Sequence, residues 1–389
     1  MRRPLSIALL AGALIVAATS CAAPLGPPRL ESVPRPVGTA APELPGTPLV
    51  LPPPFEGMRV IDPGWDAPPQ AEDGIYLALR AEQDRIVFSA VSDRGTVLWA
   101  AERPMLCSAF VVSEAADRPL AILMDVDAAD DGFAGSSISA YDLRTGEEAW
   151  GPVAVPGPHI GPGLVFAAPP PAAMGRSGPR VAIDPATGAT LADESDESDE
   201  SDESVRVLGE DGGIVLLGDR TRVIARTADD RALWTIPREE LGLPEGLLPS
   251  SAALAIDGEA ALLGAHERGP DDGAALVDLE TGTVLSRTAR ATVIDESMGV
   301  RIVLEHGLRA IAPTGEQLWA RAADDGAALV SAGHGAVHVR TDEGIRVLDT
   351  MSGRQRALLD ADAVIPRQIT PSGSGVVGDY DRPLLIIAR

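Results

Sequence analysis

Short runs of alternating apolar and polar residues recur along the chain from about residue 74 to its end. Most runs come in pairs, separated by a few polar residues that usually include a glycine. Alternation with a period of two is typical of a half-buried β-strand, and paired runs around such a turn indicate β-hairpins. The leading runs include IVFSAVS, SISAYDL and RVIAR, and the following runs include TVLWA, EEAW and ALWTI. The pattern predicts an all-β protein built from repeated hairpins.

The turns recur at nearly regular intervals. Six carry a glycine and a seventh carries Asp230 in its place, with a mean spacing of 43 residues between the first and the last. The glycines are Gly95, Gly146, Gly188, Gly282, Gly315 and Gly353. A repeat of this length with four short strands is typical of a β-propeller blade. We therefore expect a single propeller of seven four-stranded blades over residues 58–389, closed by residues 375–389 against the first blade. Eight blades is the alternative.

Four of the five tryptophans lie four residues after a turn position. Residues 140–150 carry the fullest form of the repeat, Ala-x-Asp-x-x-Thr-Gly-x-x-x-Trp. A glycine adopts positive φ at low cost, and Asp and Thr side chains can accept hydrogen bonds from turn amides. We interpret the motif residues as structural residues that dock one blade against another. They are Trp99, Asp142, Thr145, Gly146, Trp150, Asp184, Gly188, Trp234, Asp278, Gly282, Trp319, Asp349 and Gly353.

This motif resembles the PQQ-like, quinoprotein-type propeller repeat, over roughly residues 74–389. Enzymes of that family hold PQQ and calcium, whereas similar propellers without a cofactor serve as envelope lipoproteins and as sensor modules. The chain has no Asn, few aromatic residues and one Cys besides Cys21, which is Cys107. We therefore expect neither PQQ nor calcium, no catalytic or metal-binding residues, and Cys107 as a small buried side chain.

The resemblance implies a non-enzymatic binding or scaffold protein, whose partner is an unidentified envelope protein or small ligand. One alternative is a quinoprotein-type oxidoreductase or another propeller-cored enzyme, and a further one is a sensor module for a membrane kinase or transporter. The axis of the propeller separates these hypotheses. A funnel with converging carboxylates would favour an enzyme, and a featureless channel would favour a scaffold.

The first 57 residues predict the cellular location of the protein. Residues 1–20 have the charged start, apolar stretch and small-residue end of a secretory signal. The sequence Ala18-Thr19-Ser20-Cys21 resembles a bacterial lipobox, which predicts lipid attachment at Cys21 and anchoring to the outer face of the cytoplasmic membrane. Residues 21–57 contain eleven prolines, a composition that predicts a stiff, extended tether.

The net charge is -25, and all 32 basic residues are Arg. So acidic a surface repels nucleic acid and anionic headgroups, which excludes both as direct partners of the propeller. The absence of Lys and Asn indicates a high-GC bacterial genome. The repeat DESDESDESDES at 193–204 cannot pack, so we expect a disordered acidic loop. We expect the protein to be a monomer.

Overall fold

The computed structural model describes residues 30–44, 49–107, 109–128, 134–168, 178–195, 205–243, 255–257, 260–264, 273–324 and 326–388. Within these ranges all regular structure is β-strand. The strands pair into eight antiparallel sheets in which chain neighbours lie side by side. The protein is therefore an all-β propeller, and the sheets are its blades, numbered 1–8 in chain order.

The first half of the chain supplies the closing strand β2 and blades 1–4. Blade 1 contains β3–β6 with β1 added at its outer edge, blade 2 contains β7–β10, blade 3 contains β11–β13, and blade 4 contains β14–β17. The strand bounds are β1 Arg35–Ala40, β2 Arg59–Ile61, β3 Gln70–Glu72, β4 Ile75–Ala81, β5 Arg85–Ser92, β6 Thr96–Pro104, β7 Phe110–Ala115, β8 Arg118–Ala128, β9 Ala134–Asp142, β10 Glu148–Val155, β11 Val165–Ala167, β12 Arg180–Ile183, β13 Thr190–Asp193, β14 Arg206–Asp211, β15 Ile214–Gly218, β16 Arg222–Arg226 and β17 Ala232–Pro237.

The second half supplies blades 5–8. Blade 5 contains β18–β21, blade 6 contains β22–β25, blade 7 contains β26–β29, and blade 8 contains β30 and β31 together with β2. The strand bounds are β18 Ala255–Asp257, β19 Ala260–Leu263, β20 Ala274–Asp278, β21 Val284–Ala289, β22 Ala291–Asp295, β23 Val300–Leu304, β24 Gly307–Ile311, β25 Gln317–Ala322, β26 Ala328–Gly333, β27 Ala336–Thr341, β28 Gly344–Asp349, β29 Gln355–Leu359, β30 Gly375–Asp379 and β31 Arg382–Ile387.

The preference for seven blades was wrong, and the alternative of eight is the one found. The seven turns belong to blades 1–7, as the spacing predicted. The C-terminal strands do not complete the first blade. They form a separate blade with β2 from the N-terminal region, since Val60 pairs with Ile386 in register. The sequence missed this blade because it lacks a motif turn and because its outer strand comes from the other end of the chain.

The core lies between neighbouring blades. Alternating strand residues point to opposite faces of a sheet, so each blade buries apolar side chains on both sides. In blade 1, for example, Leu77 and Phe88 pack against Ala121 and Leu123 of blade 2. On its other side Tyr76 and Val91 pack against blade 8, next to Leu385. A single blade could not bury both faces alone, and the ring does so for all of them.

The N-terminal segment differs from the extended tether that its prolines predicted. Residues 31–389 form one compact unit. In it β1 pairs with β6, the outermost strand of blade 1, and Phe55 is fully buried in a cluster with Val377 and Ile386. The proline-rich composition indicated a lack of periodic structure, but the segment gains its partners from strands distant in the chain. Residues 21–29 and 45–48 of the predicted tether lie outside the described residues.

Strand order also defines two ends of the propeller. In an antiparallel blade, the turn between the first and second strands lies at the same end as the turn between the third and fourth. The ion pair between Asp73, in the first kind of turn, and Arg144, in the second kind, joins blades 1 and 2 at this end. We call it the motif face, because the motif turns lie on it.

Candidate functional site

Each motif turn is held by the carboxylate of its Asp. In blade 2, one carboxylate oxygen of Asp142 accepts hydrogen bonds from the backbone N–H groups of Arg144 and Thr145, at 3.0 and 2.9 Å, and from the Thr145 hydroxyl at 3.2 Å. The glycine that follows, Gly146, has φ +74°. Asp184, Asp278 and Asp349 make equivalent turns.

Four tryptophans contact the turn of the next blade. Each indole N–H donates to the backbone carbonyl that follows the motif Asp, at 2.7–2.9 Å: Trp99 to Leu143, Trp150 to Pro185, Trp234 to Leu279 and Trp319 to Thr350. Each ring also covers the turn glycine, where a Cβ atom would lie 2.6–3.0 Å from a ring atom: Trp99 over Gly146, Trp150 over Gly188, Trp234 over Gly282 and Trp319 over Gly353.

The turns that a tryptophan covers are one residue longer than the others. In blades 2, 3, 5 and 7 the turn residue at the glycine position donates its N–H to the carbonyl four residues back, as Gly146 does to Asp142. In blades 1, 4 and 6 the bond reaches only three residues back, as from Gly315 to Ala312. The longer turns are the four that an indole covers.

The sequence predicted that these residues dock one blade against another, without saying which neighbouring turn each tryptophan contacts. The structure pairs it with the turn of the following blade. A signal for this was present, because each Trp precedes a repeat with the full Asp-x-x-Thr/Ser-Gly turn, and repeats with shorter turns follow an Ala or Ser at that position. The contribution of these contacts to stability stays a prediction.

An axial cleft of about 410 Å³ opens between the inner strands of blades 1, 2, 6 and 7 and residues 368–370, which lead into blade 8. Its lining includes Gln70 and Glu72 of blade 1 and Glu296 of blade 6. The Gln70 side chain accepts a hydrogen bond from Val112 N–H at 2.7 Å and donates one to Phe110 at 3.1 Å, which ties the inner strands of blades 1 and 2 together.

Glu72 lies partly buried in the lining of this cleft. Burial and, to a smaller extent, the negative charges of Glu114, Glu296 and Asp211 together raise its pKa to about 7. These four side chains come from blades 1, 2, 6 and 4, each near the end of an inner strand at the motif face. A carboxyl group with such a pKa can hold or release a proton near neutral pH.

Two buried carboxylates lie beside this acidic group and join adjacent blades. Glu210 accepts hydrogen bonds from the N–H groups of Leu164 in blade 3 and Gly213 in blade 4, both at 2.8 Å. Burial nevertheless raises its pKa to about 8. Asp295 of blade 6 accepts bonds from Gly335 N–H and the Thr350 hydroxyl of blade 7.

The acidic group was not among the residues predicted from the sequence. A signal was available, because acidic residues end or follow the first strand of several repeats, as in QAEDG, VSEAAD, LGEDG and VIDESMG. These acidic residues lie at the turn between the first two strands of a repeat, whereas the motif lies between the last two. Only the ring brings these repeats, distant in sequence, around one axis.

Several predictions concern residues elsewhere. Cys21, and residues 196–204 of the acidic repeat, lie outside the described residues. Cys107 is buried, and its sulfur accepts a hydrogen bond from Val126 N–H. Among the described side chains, no three His, Cys, Asp or Glu lie close enough together to hold a metal ion. The described part of the chain contains no helix long and apolar enough to cross a membrane.

The fold and the site define an eight-bladed β-propeller with an acidic axial cleft on its motif face. No family model matches the chain, and no curated protein matches its sequence. Solved structures that resemble it include BamB from Moraxella catarrhalis, at 14% identity and a TM-score of 0.42, covering 85% of this chain and 96% of that one. BBS1N in complex with ARL6DN has 14% identity and a TM-score of 0.36, covering 92% and 96%. The Pan2 WD40 domain of Neurospora crassa has 8% identity and a TM-score of 0.37, covering 83% and 88%. The assignment to the β-propellers rests on the strand pairing of this chain.

Proposed function

We propose that this protein is a lipid-anchored, extracytoplasmic β-propeller of the bacterial envelope that acts as a non-enzymatic binding or scaffold protein. Its repeats are of the PQQ-like type, and its axial cleft receives a cationic segment of a partner. The observation that carries this proposal is the convergence of Glu72, Glu114, Asp211 and Glu296 on one end of the axis. A cationic segment relieves their mutual repulsion, so binding of such a segment is favoured there.

The proposed anchor is Cys21, which lies ten residues before Glu31, the first residue of the compact unit. Glu31 exchanges backbone and side-chain hydrogen bonds with Glu102, near the end of β6 remote from the motif face. The tether of this proposal is therefore short, roughly 30 Å if it is extended. Glu31, where the compact unit begins, lies at the end of the propeller opposite to the axial cleft.

The test compares two sets of neutral substitutions in the full chain in detergent. One variant combines Glu72→Gln, Glu114→Gln and Asp211→Asn. Its control combines Asp360→Asn, Asp362→Asn and Asp381→Asn, which remove the same charge from the opposite end of the propeller.

The probe is a fluorescein-labelled peptide of alternating Arg and Gly, followed by anisotropy at 0.15 M salt. We expect the motif-face variant to bind at least tenfold more weakly and the control to stay within twofold. Equal losses in both would mean that overall charge attracts the peptide, and the axial site would be rejected. Retention of Cys21→Ala in the membrane fraction would reject the anchor.

An enzyme is the second candidate, because converging carboxylates are the feature that favours one and the pKa of Glu72 lies near 7. In that case Glu72 would act as a general acid or base in the axial cleft. Absorbance and metal analysis of protein purified from its native host test the quinoprotein form of this alternative. A stoichiometric quinone would reject the non-enzymatic proposal.

A further inference from the structure

The joint between blades 5 and 6 lacks the tryptophan found at four other joints. Its equivalent is Ser286, which pairs across the hairpin with Leu276 as Trp150 pairs with Ala140. The Ser286 hydroxyl donates to Glu305 at 2.6 Å. At the end of the joint opposite to the motif face, the two blades are therefore held together by polar contacts.

The motif-face end of the same joint is open. A cleft of about 590 Å³ separates the two blades there, with Thr283 and Leu285 on the blade 5 side and Ile311 and Pro313 on the blade 6 side. At Gly315, a Cβ atom would meet nothing within 4 Å. At the four joints with a tryptophan, the equivalent glycine is covered by an indole ring.

We propose that this cleft binds an aromatic side chain presented by a segment of a partner protein, in the place that the chain's own indoles take at the other joints. The inference deepens the proposed function, on which it rests. The cleft has the volume of a typical ligand site, and its lining combines apolar side chains such as Leu285 and Ile311 with polar ones that include Arg301. Asp278 and Glu296 lie among its lining residues, where their carboxylates offer acceptors for an indole N–H and attract a cationic flank.

The position of the cleft connects it with the axial site. Ile294 and Glu296 line both clefts. One partner segment can therefore place an aromatic residue between blades 5 and 6 and a cationic stretch over the axis. This arrangement combines an apolar anchor with charge complementarity, which is how protein interfaces gain both affinity and orientation.

The test uses the full chain and two fluorescein-labelled peptides, Gly-Arg-Gly-Trp-Gly-Arg-Gly and the same peptide with Ala in place of Trp. Thr283 is exposed, so Thr283→Trp fills the cleft from its rim without disturbing the core, and Thr283→Phe fills it with a smaller ring. Gln317→Trp is the control, because it adds an exposed indole to blade 6 at a joint already occupied by Trp319. Circular dichroism confirms that each variant is folded.

We expect the Trp peptide to bind wild type at least tenfold more tightly than the Ala peptide. Thr283→Trp and Thr283→Phe should remove that preference, and Gln317→Trp should keep it. Equal binding of both peptides to wild type, or a preference that survives both fillings, would overturn the inference. Failure of the proposed function is distinguishable from this outcome. It would be seen as undiminished binding of the arginine-glycine peptide by the motif-face variant, in which Glu296 is unchanged.

Discussion

Trp99 provides the sharpest test of how the blades are joined. Its side chain is fully buried, its indole N–H donates to the Leu143 carbonyl at 2.9 Å, and its ring lies against Gly146. Replacing a fully buried Trp by Ala leaves a cavity and costs about 3–5 kcal/mol. Trp99→Phe keeps most of the ring but loses the hydrogen bond, so we expect a loss of about 1–2 kcal/mol.

The assay is urea denaturation followed by circular dichroism, with the midpoint and slope fitted for each variant. Leu106→Ala is the control, because that side chain is 82% exposed and should change the unfolding free energy by less than about 0.5 kcal/mol. If the unfolding free energy of Trp99→Ala lay within about 1 kcal/mol of wild type, the buried indole would not stabilise the joint between blades 1 and 2.

Four other substitutions test the remaining blade joints, a buried glutamate and the closing strand. Trp150→Ala should cost about 3 kcal/mol in urea denaturation, at the lower end for a buried Trp because the ring is only partly buried. Gly282→Ala should cost at least about 1 kcal/mol more than Gly315→Ala. Both glycines have positive φ, but only the first lies under an indole ring, so equal losses would contradict this reasoning. Burial raises the pKa of Glu210 from 4.5 to about 8. The native state therefore binds a proton more tightly than the unfolded state, and stability falls as pH rises. Between pH 5 and 8 the unfolding free energy of wild type should fall by about 3–4 kcal/mol more than that of Glu210→Gln. Ile61→Asp places a carboxylate in the closing strand, where Ile61 is 2% exposed, and should cost about 4 kcal/mol or more; cooperative unfolding at the wild-type midpoint would refute its role in closure.

The axial site was much harder to predict from the sequence than the motif turns, because it forms only when the ring closes. Asp142, Thr145 and Gly146 lie within one turn, so their mutual contacts are local and can be predicted from spacing and turn chemistry. Glu72 and Glu296 are separated by more than two hundred residues and share no motif. They come close together because the propeller closes, and the sequence around either residue does not show this.

The amino-acid sequence by itself determined the parts that depend on local physics. Period-two alternation specifies strands, and the recurring Asp-x-x-Thr-Gly turns specify hairpins at blade spacing, because both signals are complete within about ten residues. The tertiary structure decided the eighth blade, the contact of each tryptophan with the next blade, and the packing of residues 31–44 and 49–57. These features depend on strands from distant parts of the chain finding one another, and burial of both faces of every blade is what selects that arrangement.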